Sequence, residues 1–149
     1  MDSTVTSQAD RGDRASARKL RILVVDDNAD SADMLGMSLT MMGHEVRVLY
    51  DPLLVVAAAL QQVPDLAFLD VGMPVLNGFE LATELRSQSW PQGHAPTLVA
   101  LTGWGESEDR RRSEAAGFDK HLVKPADLDQ IEAVCLSVSC ALQVQAAAK

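Results

Sequence analysis

The sequence predicts an α/β protein, a doubly wound five-stranded parallel sheet with helices on both faces. Two observations predict the layers. Continuous apolar runs, among them Ile22-Leu23-Val24-Val25, Leu66-Ala67-Phe68-Leu69 and Leu98-Val99-Ala100-Leu101, have the pattern of strands covered on both faces. Helical periodicity fills the stretches between them, and strands alternating with helices give right-handed crossovers onto both faces of one sheet. A third observation concerns where these runs stop. Asp26-Asp27, Asp70, Thr102 and Lys124 each follow an apolar run. In an open parallel sheet ligands bind beyond the carboxyl ends of the strands, so these positions should converge on one edge.

Taken in order, residues 1–19 carry Ser, Thr, Asp, Arg and Gly with almost nothing to bury, and read as a disordered polar tail lacking the apolar stretch of a secretory signal. The folded domain is expected over 20–142, with 143–149 a C-terminal tail or helix extension. Arg21–Val25 is the first strand. Asn28 caps a helix in which Leu35, Leu39 and Met42 share a face, ended by Gly43. Glu45–Tyr50 alternates more weakly, as a strand near a sheet edge should. Pro52 opens a helix to about Gln62; Pro64-Asp65 breaks it, and Leu66–Leu69 is the third strand. Gly72, Pro74, Asn77 and Gly78 mark a loop. Phe79–Ser87 reads helical, Thr97–Leu101 as the fourth strand, and Glu106–Ala116 as a helix stopped at Gly117. His121–Val123 is a short fifth strand closed by Lys124-Pro125. Leu128, Ile131, Cys135, Val138 and Leu142 recur at helical spacing in a last, long amphipathic helix.

Composition narrows the function. A chain of 149 residues fits one domain with tails. Its formal charge of −8 argues against a nucleic-acid groove. No apolar run approaches the ~20 residues of a membrane span. Cys135 and Cys140 fit no metal or redox spacing, so a cytoplasmic protein with reduced thiols is expected.

The strand-end residues carry chemistry only together. Asp26-Asp27 reads either as a loop with a helix cap or as a pair of carboxylates for Mg²⁺, a hard cation that takes oxygen ligands. Asp70 beside them is hard to ionise unless a cation compensates; with one it is a nucleophile toward phosphorus. Thr102 alone is an ordinary β-branched strand residue. Lys124 can pair with a carboxylate at rest and with a phosphoryl oxygen afterwards. Pro125 after it allows a cis peptide.

With those residues in view, the chain resembles a response-regulator receiver domain of two-component signalling. The resemblance rests on Val24-Val25-Asp26-Asp27-Asn28, on Leu69-Asp70-Val71-Gly72-Met73-Pro74 with Asn77-Gly78, on Ala100-Leu101-Thr102-Gly103, on Ala116-Gly117-Phe118-Asp119 and on Leu122-Val123-Lys124-Pro125. It implies a flavodoxin-like sheet of strand order 2-1-3-4-5. It further implies that Asp70 accepts a phosphoryl group from a sensor histidine kinase or a histidine phosphotransfer protein. Asp27, Asp70 and the Gly72 carbonyl would ligate Mg²⁺ (or Mn²⁺), with Asp26 assisting, and Thr102 and Lys124 would contact the phosphoryl oxygens. The expected protein is a stand-alone switch that catalyses only its own phosphorylation and slow dephosphorylation. Its output would be contact with a protein partner or onward phosphotransfer to a histidine phosphotransfer protein, and a homodimer is one assembly open to it.

The chain departs from the family pattern at His121, where a switch aromatic is usual. Two readings stand: an edge-strand His half in solvent, or a residue whose inward or outward state reports phosphorylation. Gly72 and Trp104, each two residues beyond a site residue, are expected to tune hydrolysis. Glu106–Ala116 has little to bury beyond Ala115 and Ala116, which suits a switching element. Leu53, Leu54, Val55, Val56 and Leu60 circle their helix, through deep packing or as a partner surface. Three other classes share parts of this pattern. A receiver segment of a hybrid histidine kinase would share every motif. A haloacid-dehalogenase-like phosphatase wants a second Asp where Gly72 stands. A nucleotide-binding α/β domain wants a Gly-rich loop where Asp26-Asp27-Asn28 stands.

Overall fold

The computed structural model describes residues 19–73, 76–90, 94–103 and 107–148. The elements are β1 (Arg21–Val25), α1 (Ala29–Met41), β2 (Glu45–Leu49), a 3₁₀ turn (Pro52–Leu54) leading into α2 (Val55–Gln61), β3 (Leu66–Asp70), α3 (Gly78–Arg86), β4 (Thr97–Thr102), α4 (Ser107–Ala116), β5 (Lys120–Val123) and α5 (Leu128–Ala148). All strands run parallel in the order β2-β1-β3-β4-β5. The expected fold and strand order are observed, with β2 on an edge.

Residue parity divides the core into two layers. Ile22, Val24, Leu66, Phe68, Val99, Leu101 and Leu122 meet Ala32 and Leu39 of α1 and Ile131, Val134, Cys135 and Val138 of α5. Leu23, Val25, Ala67, Leu69, Leu98 and Ala100 meet Val55 and Ala59 of α2, Leu81, Ala82 and Leu85 of α3, and Phe118. Both faces of the central strands are covered, which is why their sequences are apolar at every position. Each large side chain so buried contributes ~1.5–3 kcal/mol, enough to hold the sheet without crosslinks.

Local chemistry sets the element ends. The Asn28 side chain accepts the Ser31 N–H at 3.1 Å and starts α1. Gly43 and Gly117 take positive φ after α1 and α4, where an L side chain would be strained.

Five expectations are corrected. The helix at Pro52 begins as a 3₁₀ turn, with Asp51 accepting the Leu53 N–H, and becomes α-helical only at Val55. That offset buries Val55 completely and leaves Leu53 and Leu54 63% and 55% exposed, so Val55 belongs to the core and not to a partner surface. Gly78 is not loop but the first residue of α3, and Asn77 before it is the cap. Asn77 and Glu80 each accept the other's backbone N–H in a capping box. In α5 the buried face includes Val134, while Leu128 at the first turn is exposed. α4 is anchored by more than alanines: the Arg112 guanidinium lies 4.2 Å over the Phe79 ring, which meets Phe118 edge-on.

Candidate functional site

β1, β3, β4 and β5 end together, and their ends carry Asp26 and Asp27, Asp70, Thr102 and Lys124 respectively. One carboxylate oxygen from each of Asp26, Asp27 and Asp70 lies within 4.8 Å of the other two. Asp26, Asp70 and Thr102 are buried, whereas Asp27 is exposed. The chain bends at β1's end because the Asp26 Oδ1 accepts the Asn28 N–H at 3.0 Å. That turn lets two neighbouring carboxylates approach one point, which an extended strand forbids.

The two buried carboxylates are satisfied alike. Asp70 Oδ1 accepts the Gly72 N–H at 3.0 Å. The remaining oxygens face one cation: Lys124 Nζ stands 2.7 Å from Asp26 Oδ2 and 3.4 Å from Asp70 Oδ2. Burial raises the Asp70 carboxyl above the usual range. The Gly72 N–H opposes this, the adjacent Asp26 adds to it, and Lys124 offsets part. Burial alone would lower the Lys124 ammonium, but hydrogen bonding and charge attraction from Asp26 and Asp70 outweigh it and hold it above its ordinary value. Lys124 directly follows β5, a cis peptide joins it to Pro125, and its N–H donates to the Thr102 carbonyl at 2.6 Å.

Thr102 closes β4 beside β5, one residue beyond Leu101, which pairs with Asp70. Its Oγ1 lies 3.1 Å from His121 Nε2. His121 is therefore half-buried and engaged with a strand-end residue, not simply half in solvent. Gly72 is exposed, and a Cβ there would sit 3.6 Å from Asp70 Oδ1, in ordinary contact, so a side chain at this position would face the acceptor directly. Pro74 and Trp104 lie outside the described residues.

No physical reason for Gly78 is visible in the sequence alone. A Cβ on it would meet the Asp70 carbonyl oxygen at 2.6 Å and Val71 Cα at 2.7 Å. The start of α3 is thus pressed onto the backbone that carries Asp70, and the adjoining Asn77-Gly78 was the signal available. A second framework contact also spans long sequence distances. Arg86 Nε donates to the Gly117 carbonyl at 2.7 Å, and Arg86 Nη2 donates to Asp119 Oδ2, which also accepts the Leu98 N–H. This fork ties α3, the end of α4 and the start of β4 together.

An all-oxygen set of three close carboxylates suits a small hard divalent cation. A family profile described as the response regulator receiver domain matches residues 22–135. An uncharacterized 14.6 kDa protein of Leptolyngbya boryana is 35% identical over 109 residues, covering 73% of this chain and 82% of that one. The chain spans about half the length of the curated transcriptional regulators it also matches. Among solved structures, the receiver domain of Saccharomyces cerevisiae Ssk1, crystallised with the histidine phosphotransfer protein Ypd1, aligns with TM-score 0.75 at 26% identity, over 82% of this chain and 90% of that one. The receiver domain of the sensor histidine kinase PA1611 of Pseudomonas aeruginosa, with magnesium in its active-site cleft, aligns with TM-score 0.72 at 25% identity, over 82% and 98%. This chain belongs to the response regulator receiver domain family.

Proposed function

We propose that this chain takes a phosphoryl group from a histidine kinase or a histidine phosphotransfer protein onto Asp70, in a Mg²⁺-dependent step, and passes the change to a protein partner. The observation that carries the reading is the convergence of Asp26, Asp27 and Asp70 with Lys124 bridging the buried pair. Receiver domains are regulatory modules and not classical enzymes, and they engage histidine kinases or phosphotransfer proteins. This chain would accordingly catalyse only its own phosphorylation and slow dephosphorylation.

Asp26, Asp27, Asp70 and the Gly72 carbonyl would hold Mg²⁺, with Mn²⁺ as a substitute; the cation supplies charge neutralisation for the acceptor and the incoming phosphoryl group. Asp70 Oδ1 is occupied by the Gly72 N–H, so Oδ2 attacks phosphorus. An O–P bond forms, the P–N bond of the phosphohistidine breaks, and its electron pair returns to the imidazole. Lys124 already faces Oδ2 and moves its ammonium onto a phosphoryl oxygen. The Thr102 hydroxyl donates to another. Because Thr102 Oγ1 and His121 Nε2 are in contact, turning Thr102 toward the adduct changes what holds His121, and this favours His121 as a reporter over the solvent reading. Gly72 offers no polar group to orient an attacking water, and Trp104 is assigned the companion tuning role. The PA1611 likeness supports one further reading, a receiver segment of a hybrid histidine kinase relaying phosphate. No helix among the described residues is long and apolar enough to cross a membrane, which agrees with the cytoplasmic placement we assign.

Acetyl phosphate with Mg²⁺ tests the reading. One adduct of about 80 Da should appear on Asp70, and should be lost on chelation or in Asp70→Asn. Modification elsewhere, or turnover of phosphate monoesters without an adduct, would overturn it.

A further inference from the structure

Among the described residues β2 is an edge strand, paired on one side with β1. The Glu45 N–H donates to the Leu20 carbonyl at 2.9 Å, and the Leu49 carbonyl accepts the Asp26 N–H at 3.2 Å. Between these points the alternation of a parallel ladder turns the peptide groups of Glu45, Arg47 and Leu49 toward β1 and those of Val46 and Val48 outward. The rim therefore presents two donors and two acceptors in line. The flanking helices stand back from it on both faces. On one face a shallow groove is lined by Met37, Thr40, Met41, Val46 and Val48, and Met37 and Met41 are 65% and 86% exposed. On the other, Arg21, Glu45 and Arg47 border a second groove that also reaches Val46.

We propose that β2 pairs antiparallel with β2 of a second copy of this chain, about a two-fold axis at Val46, joining the two sheets edge to edge. Charge selects that occupant and that register. A self-pairing of this strand can centre on Val46, Arg47 or Val48. Centring on Arg47 sets two arginines directly opposite, which is unfavourable, and centring on Val48 sets Arg47 against Leu49. Centring on Val46 sets Glu45 of each copy opposite Arg47 of the other, twice by symmetry, and lets the two Val46 residues exchange both N–H···O=C bonds. Glu45 is already held by Arg21 of its own chain at 3.2 Å on that face, so the pairs extend an existing row of alternating charge. On the opposite face the same register brings the methionines of both copies to one apolar seam over the valines. The interface is isologous, uses backbone groups that have no partner in the described sheet, and closes after two copies. It needs nothing from Asp70, so the phosphoacceptor reading stands or falls separately.

Sedimentation velocity of the full chain over roughly 5–500 µM tests the proposal. The mass should rise with concentration toward twice the 16.0 kDa chain, and amide exchange at Val46 and Val48 should slow in parallel. Arg47→Glu places a carboxylate against Glu45 of the other copy and should weaken the dimer by about tenfold or more. Adding Glu45→Arg to that variant restores both pairs in reversed sense and should recover association to within about threefold of the original. Both positions are exposed, and circular dichroism checks that the variants fold. A monomer at every concentration, a dimer indifferent to Arg47→Glu, or a double variant that fails to recover would overturn the proposal.

Discussion

Replacing Gly78 by alanine sets two effects of opposite sign against each other. Gly78 is the first residue of α3, and removing a glycine from a helix ordinarily stabilises by ~0.5–1 kcal/mol. Here the added Cβ would stand 2.6 Å from the Asp70 carbonyl oxygen, 2.7 Å from Val71 Cα and 3.0 Å from the Asp70 carbonyl carbon. All three are backbone atoms of a fully paired central strand or its exit, so no side chain can swing aside. Relief to the 3.4 Å of ordinary contact requires a shift of about 0.8 Å (3.4 less 2.6) at the start of α3 or the end of β3. Overpacking of this kind costs ~1–3 kcal/mol, so the net should be a loss of about 1–2 kcal/mol, or roughly 3–6 °C in Tm. The same shift moves Asp70, and misplacement near 1 Å can slow a positioned reaction by up to ~100-fold. Gly72→Ala is the control, since its Cβ would meet Asp70 Oδ1 at an ordinary 3.6 Å and should leave Tm nearly unchanged. Urea and thermal unfolding, followed by phosphorylation rate with acetyl phosphate, read both consequences. A Gly78→Ala protein that is more stable and reacts as fast as the parent would refute the steric argument and leave helix propensity as the dominant effect.

Lys124→Met leaves two buried carboxylates facing each other, so in the absence of divalent cation it should destabilise by about 2 kcal/mol. Mg²⁺ should restore most of that loss in urea titrations; an equal loss with and without Mg²⁺ would contradict the charge argument. His44 Nδ1 accepts the N–H of buried Leu20 at 3.1 Å, and burial holds the ring below its usual 6.5. The unfolded chain then binds the proton more readily, so this contribution is present above pH 6.5 and is lost as pH falls through the folded value. The raised Asp70 carboxyl acts in the opposite direction, so the test is the difference between the parent and His44→Gln: the gap in urea midpoint should narrow between about pH 7.5 and pH 5.5, and a constant gap would sink the assignment. Amides of α4 should exchange faster than those of α5, because the described side chains of α4 bury little beyond the Arg112–Phe79 contact, whereas α5 buries Ile131, Val134, Cys135 and Val138; equal protection would show that the contact anchors α4 as firmly as a core face.

The strands and the acidic cluster were legible in the sequence because their determinants are local. An uninterrupted apolar run followed at once by Asp, Thr or Lys needs no knowledge of the rest of the chain, and parallel topology then brings the ends together. What escaped notice depends on distant partners or on exact phase. Gly78 matters only because α3 lands on Asp70. Arg86 looks like one more surface cation until it reaches Gly117 and Asp119, about 31 and 33 residues away. For Leu53, Leu54, Val55, Val56 and Leu60 the sequence left deep packing and a partner surface both open, because it does not show that a 3₁₀ turn precedes Val55 and so which of them turn inward. Arg112 reads as a solvated charge, and its place over Phe79 follows only once α3 and α4 are neighbours.

The two edges of the sheet are coupled to the site to different degrees. β4 and β5 are tied at the site end by main chain, through Lys124 N–H on the Thr102 carbonyl, and by side chain, through Thr102 Oγ1 against His121 Nε2. Any reorientation of Thr102 or withdrawal of Lys124 from Asp26 is therefore imposed on β5, which has no strand beyond it among the described residues to resist. β2 meets the site through one main-chain bond, its Leu49 carbonyl accepting the Asp26 N–H at 3.2 Å, and lies farther from the acceptor. Its path to Asp70 crosses β1 and β3, whose core residues are close-packed on both faces, and packed interiors deform in discrete steps and not gradually. A contact made through β2 should then persist whether or not Asp70 is modified, while a contact made on β5 or α4 should sense it. Arg47→Glu and His121→Phe distinguish the two edges: the first should weaken self-association by about tenfold or more without altering the phosphorylation rate, and the second should alter the phosphorylation response without altering self-association.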